Sequence, residues 1–247
     1  MKTGLCSITF RDLSVNEIIK LVADAQLDVI EWGGDIHVPQ GNIKLAEETA
    51  RLTREAGLTV SSYGSYERLT DDEFSPDQLL DTVDALDCKQ LRIWGGRQGS
   101  ATINSDDYNL LVDLCQVLTR AAQERGIEVS LEFHGNTVAD TAKSCLDFIA
   151  DVGQENLKCY YQQTINEMDA LNLGILQSMK AHVSNFHCFY YENDIQVELI
   201  HGMEFWQKAL EIYQPETILI EFVKDGEPQQ FLDDATSLLK IINSVSG

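Results

Sequence analysis

The strongest constraint on the fold of this chain is an alternation that runs through all of its 247 residues. Short runs rich in Val, Ile, Leu and aromatic residues are each followed by a stretch with helical apolar spacing, and the unit occurs eight times. The strand-like runs are 4–8, 28–32, 58–63, 90–94, 127–132, 157–161, 182–187 and 217–222. Helical periodicity follows them from Ser14, then over 43–56, 76–87, 106–125, 141–151, 168–180, 198–213 and 228–242. Local punctuation agrees. Ser14 and Glu17 have capping-box spacing, Pro76 can sit in a first helical turn, and Gly57 and Gly126 stand where a helix ends on a left-handed residue.

Strands alternating with helices imply a parallel sheet whose neighbours are joined by helical crossovers. Eight such units in a chain near the typical length of about 250 residues predict a (β/α)8 TIM barrel. A doubly wound open sheet is the alternative. No Pro/Gly/Ser-rich linker or low-complexity segment breaks the pattern, so 1–247 is read as a single domain. The units share architecture, not sequence.

Charge narrows the partners. A formal net charge of −22 and a pI near 4.4 oppose binding to nucleic acid or an anionic membrane, because both need basic surface. No stretch reaches the roughly 18 apolar residues of a membrane span. The first apolar run, interrupted by Arg11 and Asp12, is too short for a secretory signal. The six cysteines, Cys6, Cys88, Cys115, Cys145, Cys159 and Cys188, form no CxxC pair and fall in predicted elements, which fits a reducing, cytoplasmic setting. A small molecule is the expected partner, and a homo-oligomer is compatible with the sequence.

A barrel of this kind builds its site at the C-terminal strand ends. Those positions carry Arg11 after strand 1, Glu31 and Trp32 with Asp35 and His37 after strand 2, and Tyr63 after strand 3. Strand 4 offers Arg92 and Trp94, strand 5 Glu132 and His134, strand 6 Gln162 and Gln163, strand 7 His187 and strand 8 Glu221. Residues two apart in a strand share a face, so Glu132 and His134 are expected to aim into one space. Glu132, His187 and Glu221 combine hard oxygens with an imidazole, a donor set suited to Mn²⁺, Mg²⁺, Co²⁺ or Zn²⁺. Singly, each has an ordinary reading as a salt-bridge partner, cap or core histidine; three at equivalent strand ends favour the site. Arg11, Glu31, His37, Tyr63 and Arg97 are expected to contact substrate, with Trp32 and Trp94 as an apolar wall. The loop 95–100, Gly-Gly-Arg-Gln-Gly-Ser, matches neither a Walker A nor a dinucleotide fingerprint, and its glycines are read as turn residues.

Four segments, Val29-Ile30-Glu31-Trp32, Leu131-Glu132-Phe133-His134, Asn185-Phe186-His187 and Leu219-Ile220-Glu221-Phe222, resemble the xylose-isomerase-like TIM-barrel superfamily of sugar isomerases and epimerases. The likeness covers essentially the whole chain. Its first two thirds are similar to bacterial 3-dehydroshikimate dehydratases, through residues 5–11, 95–100 and 132–137 with Asp140 and Thr141. The resemblance implies a divalent metal held by Glu132, Gln162, His187 and Glu221. Three positions depart from the pattern: Gln162 replaces an Asp, Ile165 a His, and Phe189 the Lys of the dehydratases. The expected function is a metal-assisted isomerase or epimerase of a small sugar, polyol or sugar-derived acid. Glu132 and Glu221 would exchange protons through an enediolate, with His134 orienting substrate. The alternatives are a lyase of the dehydroshikimate dehydratase type and a metal-free, non-catalytic sugar-binding barrel.

Overall fold

The computed structural model describes residues 1–69 and 74–245. Eight parallel strands close into a barrel: β1 (Lys2–Cys6), β2 (Val29–Gly33), β3 (Thr59–Gly64), β4 (Gln90–Ile93), β5 (Glu128–Leu131), β6 (Leu157–Tyr161), β7 (Val183–Cys188) and, last in the ring, β10 (Thr217–Ile220). Helices α1 (Val15–Asp24), α2 (Ile43–Glu55), α3 (Pro76–Ala85), α4 (Ser105–Glu124), α5 (Ala142–Val152), α6 (Asp169–Met179), α7 (Met203–Ile212) and α8 (Pro228–Val245) form the outer layer. β1 pairs with both β2 and β10, which closes the ring. The fold is therefore the (β/α)8 barrel expected from the alternation.

The local signals act as their chemistry requires. Ser14 Oγ accepts from the Glu17 amide while a Glu17 carboxylate oxygen accepts from the Ser14 amide. Gly57 and Gly126 end their helices at φ +80° and +65°, where a Cβ would be strained. β1 stops at Cys6 rather than running on to residue 8, because Thr9 Oγ1 donates to the Cys6 carbonyl at 2.8 Å and Ser7–Phe10 coils into a 3₁₀ turn. Ahead of α7, the segment expected to be helical begins as another such turn, Leu199–Gly202. A small antiparallel hairpin, β8 (Tyr191–Glu192) and β9 (Ile195–Gln196), rises between β7 and α7 and lies outside the predicted alternation. Its turn residues, Asn193 and Asp194, both take positive φ, the conformation of a two-residue hairpin turn that Asn and Asp tolerate.

The apolar core lies between strands and helices, where Trp32, Tyr63, Phe148, Trp206 and Phe231 are buried. The barrel lumen differs from the branched aliphatic layers usual in this architecture. Its centre holds Glu31, Arg92, Tyr160 and His187, all fully or almost fully buried. Below them Asn185 Nδ2 donates to the Gln90 side-chain oxygen, which Tyr160 OH also approaches at 3.5 Å. All six cysteines are buried free thiols, and no helix among the described residues is long and apolar enough to cross a membrane.

Candidate active site

The lumen is organised by one carboxylate. Glu31, 0% exposed, accepts from Cys6 Sγ at 3.2 Å and Arg92 Nε at 3.0 Å on Oε1, and from Ser62 Oγ and Tyr160 OH, each at 2.8 Å, on Oε2. The register explains the convergence. Cys6 is level with Glu31, and a shift in the β2–β3 ladder after Ile30 brings Ser62 opposite it. Burial alone would raise the Glu31 carboxyl, but the Arg92 guanidinium, helped by His187 and Ser62, outweighs it and holds the group well below the usual carboxylate range.

Arg92 carries this charge network upward. Its Nη1 donates to Glu132 Oε2, its Nη2 is buried without a partner among the described residues, and the guanidinium lines the cavity at the barrel mouth. Burial pushes the Glu132 carboxyl up, Arg92 pulls against it, and the neighbouring Glu221 adds to the rise. His187 lies against Tyr160 edge-on, at 4.9 Å between ring centroids. Its Nδ1 is 3.1 Å from Glu221 Oε2 and 3.3 Å from Gln162 Oε1, while Nε2 is 3.5 Å from Glu31 Oε1. Burial would lower this imidazole, but Glu221 and the hydrogen bonds to Cys6, Glu221 and Glu31 push it well up.

Above this floor is a cavity of about 290 Å³, lined by Arg92, Glu132, Gln162 and Glu221 below and by Arg11, Tyr66, Trp94 and His134 at the sides. Ile8, Ile165, Phe189, Tyr191 and Phe222 complete an apolar rim. Phe222 holds positive φ, +57°, and its amide donates to Thr9 Oγ1 at 2.9 Å. A non-glycine residue in this region is uncommon, and here it caps the strand that carries Glu221.

Of the residues expected at the site, Glu132, Glu221, His134, Arg11, Trp94 and Gln162 line this cavity, and His187 lies directly beneath. The others are elsewhere. Glu31 is one layer too deep to meet a ligand and is enclosed by its four donors. Trp32 and Tyr63 follow inward-facing residues by one position, so they point outward: Trp32 Nε1 donates to Thr53 Oγ1, and Tyr63 OH to the Val38 carbonyl. His37 is folded back between Ser7 Oγ, 3.0 Å from Nδ1, and the Leu13 carbonyl, 3.1 Å from Nε2. Arg97 lines a separate cavity with Asp107, Leu110 and Leu111 on the flank of α4. In its loop, the Ser100 amide donates to Asp140 Oδ2 at 3.0 Å, which ties the loop to the segment after β5. Cys6, Ser62 and Tyr160 had no assigned role from sequence, and Arg92 was placed at its strand end without one.

The resemblance implies a divalent ion at this mouth. Gln162 Oε1 and Glu221 Oε2 flank His187 Nδ1 at separations close to those of ligands about 2.1 Å from a common ion. Cys6, His187 and Glu221 also group their donor atoms within 4.8 Å of one another. The Cys6 thiol, however, donates to Glu31 and is pushed up to about 12 by burial and that carboxylate, which leaves it protonated. Gln162, His187 and Glu221 are the expected ligands that lie near one another, and an ion there would take the place of the proton that His187 shares with Glu221. Glu132 is turned to Arg92 instead.

No family model matches the chain. A curated relative, 3-dehydroshikimate dehydratase of Bacillus anthracis, is 24% identical over 220 residues, 83% of this chain and 76% of the relative. Among solved structures, the probable 3-DHS dehydratase AsbF of Bacillus anthracis superposes with a TM-score of 0.80 at 18% identity, covering 97% of this chain and 99% of that one. D-psicose 3-epimerase of Clostridium cellulolyticum H10 gives 0.72 at 16% identity, with 99% of each chain covered. A xylose isomerase-like TIM barrel protein of Mycobacterium smegmatis, solved with magnesium, gives 0.72 at 14%, covering 96% of this chain and 92% of that one. The fold is that of the xylose-isomerase-like TIM barrels.

Proposed function

We propose that this barrel is an enzyme that moves a proton at the carbon beside a carbonyl in a small polyhydroxylated compound, as an isomerase or epimerase. The observation that carries the reading is the pair Glu132 and Glu221, facing one cavity from strands β5 and β10 with Arg92 beneath. Glu132, raised by burial, is suited to take a proton, and Glu221 to return one from the other side of the bound carbon. Arg92 stabilises the negative charge that develops, while His134 and Arg11 orient substrate oxygens at the rim. A divalent ion would rest against Gln162, His187 and Glu221 and would supply Lewis-acid polarisation of the carbonyl. The fold shared with D-psicose 3-epimerase supports this class.

The test is solvent exchange. Incubation with candidate ketoses in D₂O, followed by NMR, should show deuterium at the carbon next to the carbonyl, and Glu132→Gln or Glu221→Gln should abolish it. Exchange that persists in the double variant would refute the assignment.

A second reading is a lyase that dehydrates a cyclic keto acid. The Arg92 guanidinium lines the cavity with its Nη2 unpartnered among the described residues, and Arg11, paired with Asp35, stands at the side; a carboxylate-bearing substrate could meet Arg92, and the dehydratase relative supports the same class. Against it stands Phe189, where the resemblance expects a lysine. Aromatic product absorbance from dehydroshikimate would select the lyase reading.

A further inference from the structure

A second cavity, also of about 290 Å³, adjoins the first and shares Gln162, His134, Ile165 and Phe189 with it. Phe133, Gly135, Asp140, Gln163 and Thr164 form the rest of its wall. Each cavity alone is near the lower bound, about 300 Å³, of ligand pockets, which suits a single ring. The residues that divide them are able to bond a ligand from either side. His134 uses Nδ1 on the Gly135 carbonyl, 2.8 Å away, and its Nε2 has no hydrogen bond among the described residues. The Gln162 amide likewise has its oxygen toward His187 and its nitrogen unpartnered among the described residues.

The walls of the second cavity are held by side chains rather than left to loose loops. Gln163, buried, clamps the hairpin by accepting from the Tyr191 amide at 3.0 Å and donating to its carbonyl at 3.4 Å. Buried Asn172 accepts from the Thr164 amide at 2.8 Å and donates to the Thr164 and Glu167 carbonyls, each at 3.2 Å. Asp140 is fixed by the Ser100 amide and Ser144 Oγ, and a carboxylate still has lone pairs to offer beyond two such bonds. A phenyl ring, Phe189, and a fixed carboxylate, Asp140, lining one cavity are the chemistry that takes a neutral hydroxylated ring. The C–H face stacks on the phenyl group and the hydroxyls donate to the acid. The same carboxylate disfavours a phosphate or a second acid there.

We infer that this barrel acts on two-ring substrates, with the carbonyl-bearing unit over Glu132 and Glu221 and a neutral glycosyl unit in the second cavity, which Phe189 and Asp140 line. The inference rests on the proton-transfer reading of the first cavity. Pre-formed walls reduce the ordering cost of binding, so the second ring should add affinity.

The experiment compares D-fructose with the ketose disaccharides isomaltulose, turanose, maltulose and lactulose, by calorimetry on the full chain with Mn²⁺ present. At least one disaccharide should bind about tenfold or more tighter than D-fructose. Gly135→Leu provides the control. Gly135 lines the second cavity and a Cβ there meets nothing within 4 Å, so the larger side chain should be accommodated without displacing the fold while narrowing that cavity. It should remove the disaccharide advantage and leave D-fructose binding unchanged, with an unaltered melting temperature. If D-fructose binds and no disaccharide gains over it, or if the gain survives Gly135→Leu, the second subsite is refuted while the reading of the first cavity stands. If neither monosaccharide nor disaccharide binds, the ketose reading of the first cavity fails and the inference falls with it.

Discussion

Replacing Arg92 by Met tests the charge network most directly. The substitution keeps an unbranched apolar stem in the lumen but removes two charge-assisted hydrogen bonds, to Glu31 Oε1 at 3.0 Å and to Glu132 Oε2. Bonds of this kind contribute about 1.5–3 kcal/mol each, so the loss comes to about 3–6 kcal/mol. Breaking one side of a buried ion pair typically costs about 3–5 kcal/mol because the partner is left uncompensated, which agrees. Glu31 would keep Cys6, Ser62 and Tyr160 as donors, whereas Glu132 has no other protein donor among the described residues. Most of the penalty should therefore fall on Glu132, and Arg92→Met with Glu132→Gln should recover a large part of it. Urea unfolding at neutral pH, followed by tryptophan fluorescence, measures both variants. At about 2–4 °C per kcal/mol for a chain this size, the single variant should also melt about 6–24 °C lower. A loss below about 1 kcal/mol, or a double variant no more stable than the single one, would refute the argument that Arg92 is the electrostatic keystone of the lumen.

Three further outcomes are expected. Gly4→Ala would place a Cβ 2.3 Å from the Val29 carbonyl oxygen; since backbone cannot swing aside, β1 and β2 must separate, and equilibrium unfolding should show a loss of at least about 1–3 kcal/mol. Burial lowers the His37 imidazole, so the unfolded chain takes up its proton first as pH falls. The stability tied to this group is full above the ordinary histidine value of about 6.5 and is lost as pH drops through the lower folded value, and His37→Gln should flatten the acid limb of a stability–pH profile. Gln162→Asp adds a negative charge beside His187 and Glu221, so Mn²⁺ should bind at least about tenfold tighter and raise the melting temperature further than in the parent protein; equal shifts would remove Gln162 from the ligand set.

The barrel was legible because every unit announces itself locally, through an apolar run, a cap such as Ser14 and a stop such as Gly57. The mouth was legible in part for the same reason: Glu132, His187 and Glu221 are strand-end groups with inward parity. Depth was not legible. Glu31 has the same parity as Glu132, yet it sits level with Cys6 and Ser62, one layer below the mouth, and no spacing rule separates the two cases. Trp32 and Tyr63 could have been placed outward by the period of two, since each directly follows an inward residue. His37 and Arg97 lie on loops, where position depends on tertiary bonds such as that to the Leu13 carbonyl. Tyr160 looked like one more aromatic core residue, because only the closed ring shows that its hydroxyl meets Glu31 from the opposite wall at 2.8 Å.

The Glu31 node also divides the labour of the molecule. Strands supply its donors, and the loops above touch it nowhere in the bonds that define it. The reactive groups are therefore levelled from below, like a table set on its own legs, while the rim that selects the substrate is attached separately. A barrel built this way can be given a new mouth, in evolution or in the laboratory, without resetting its chemistry.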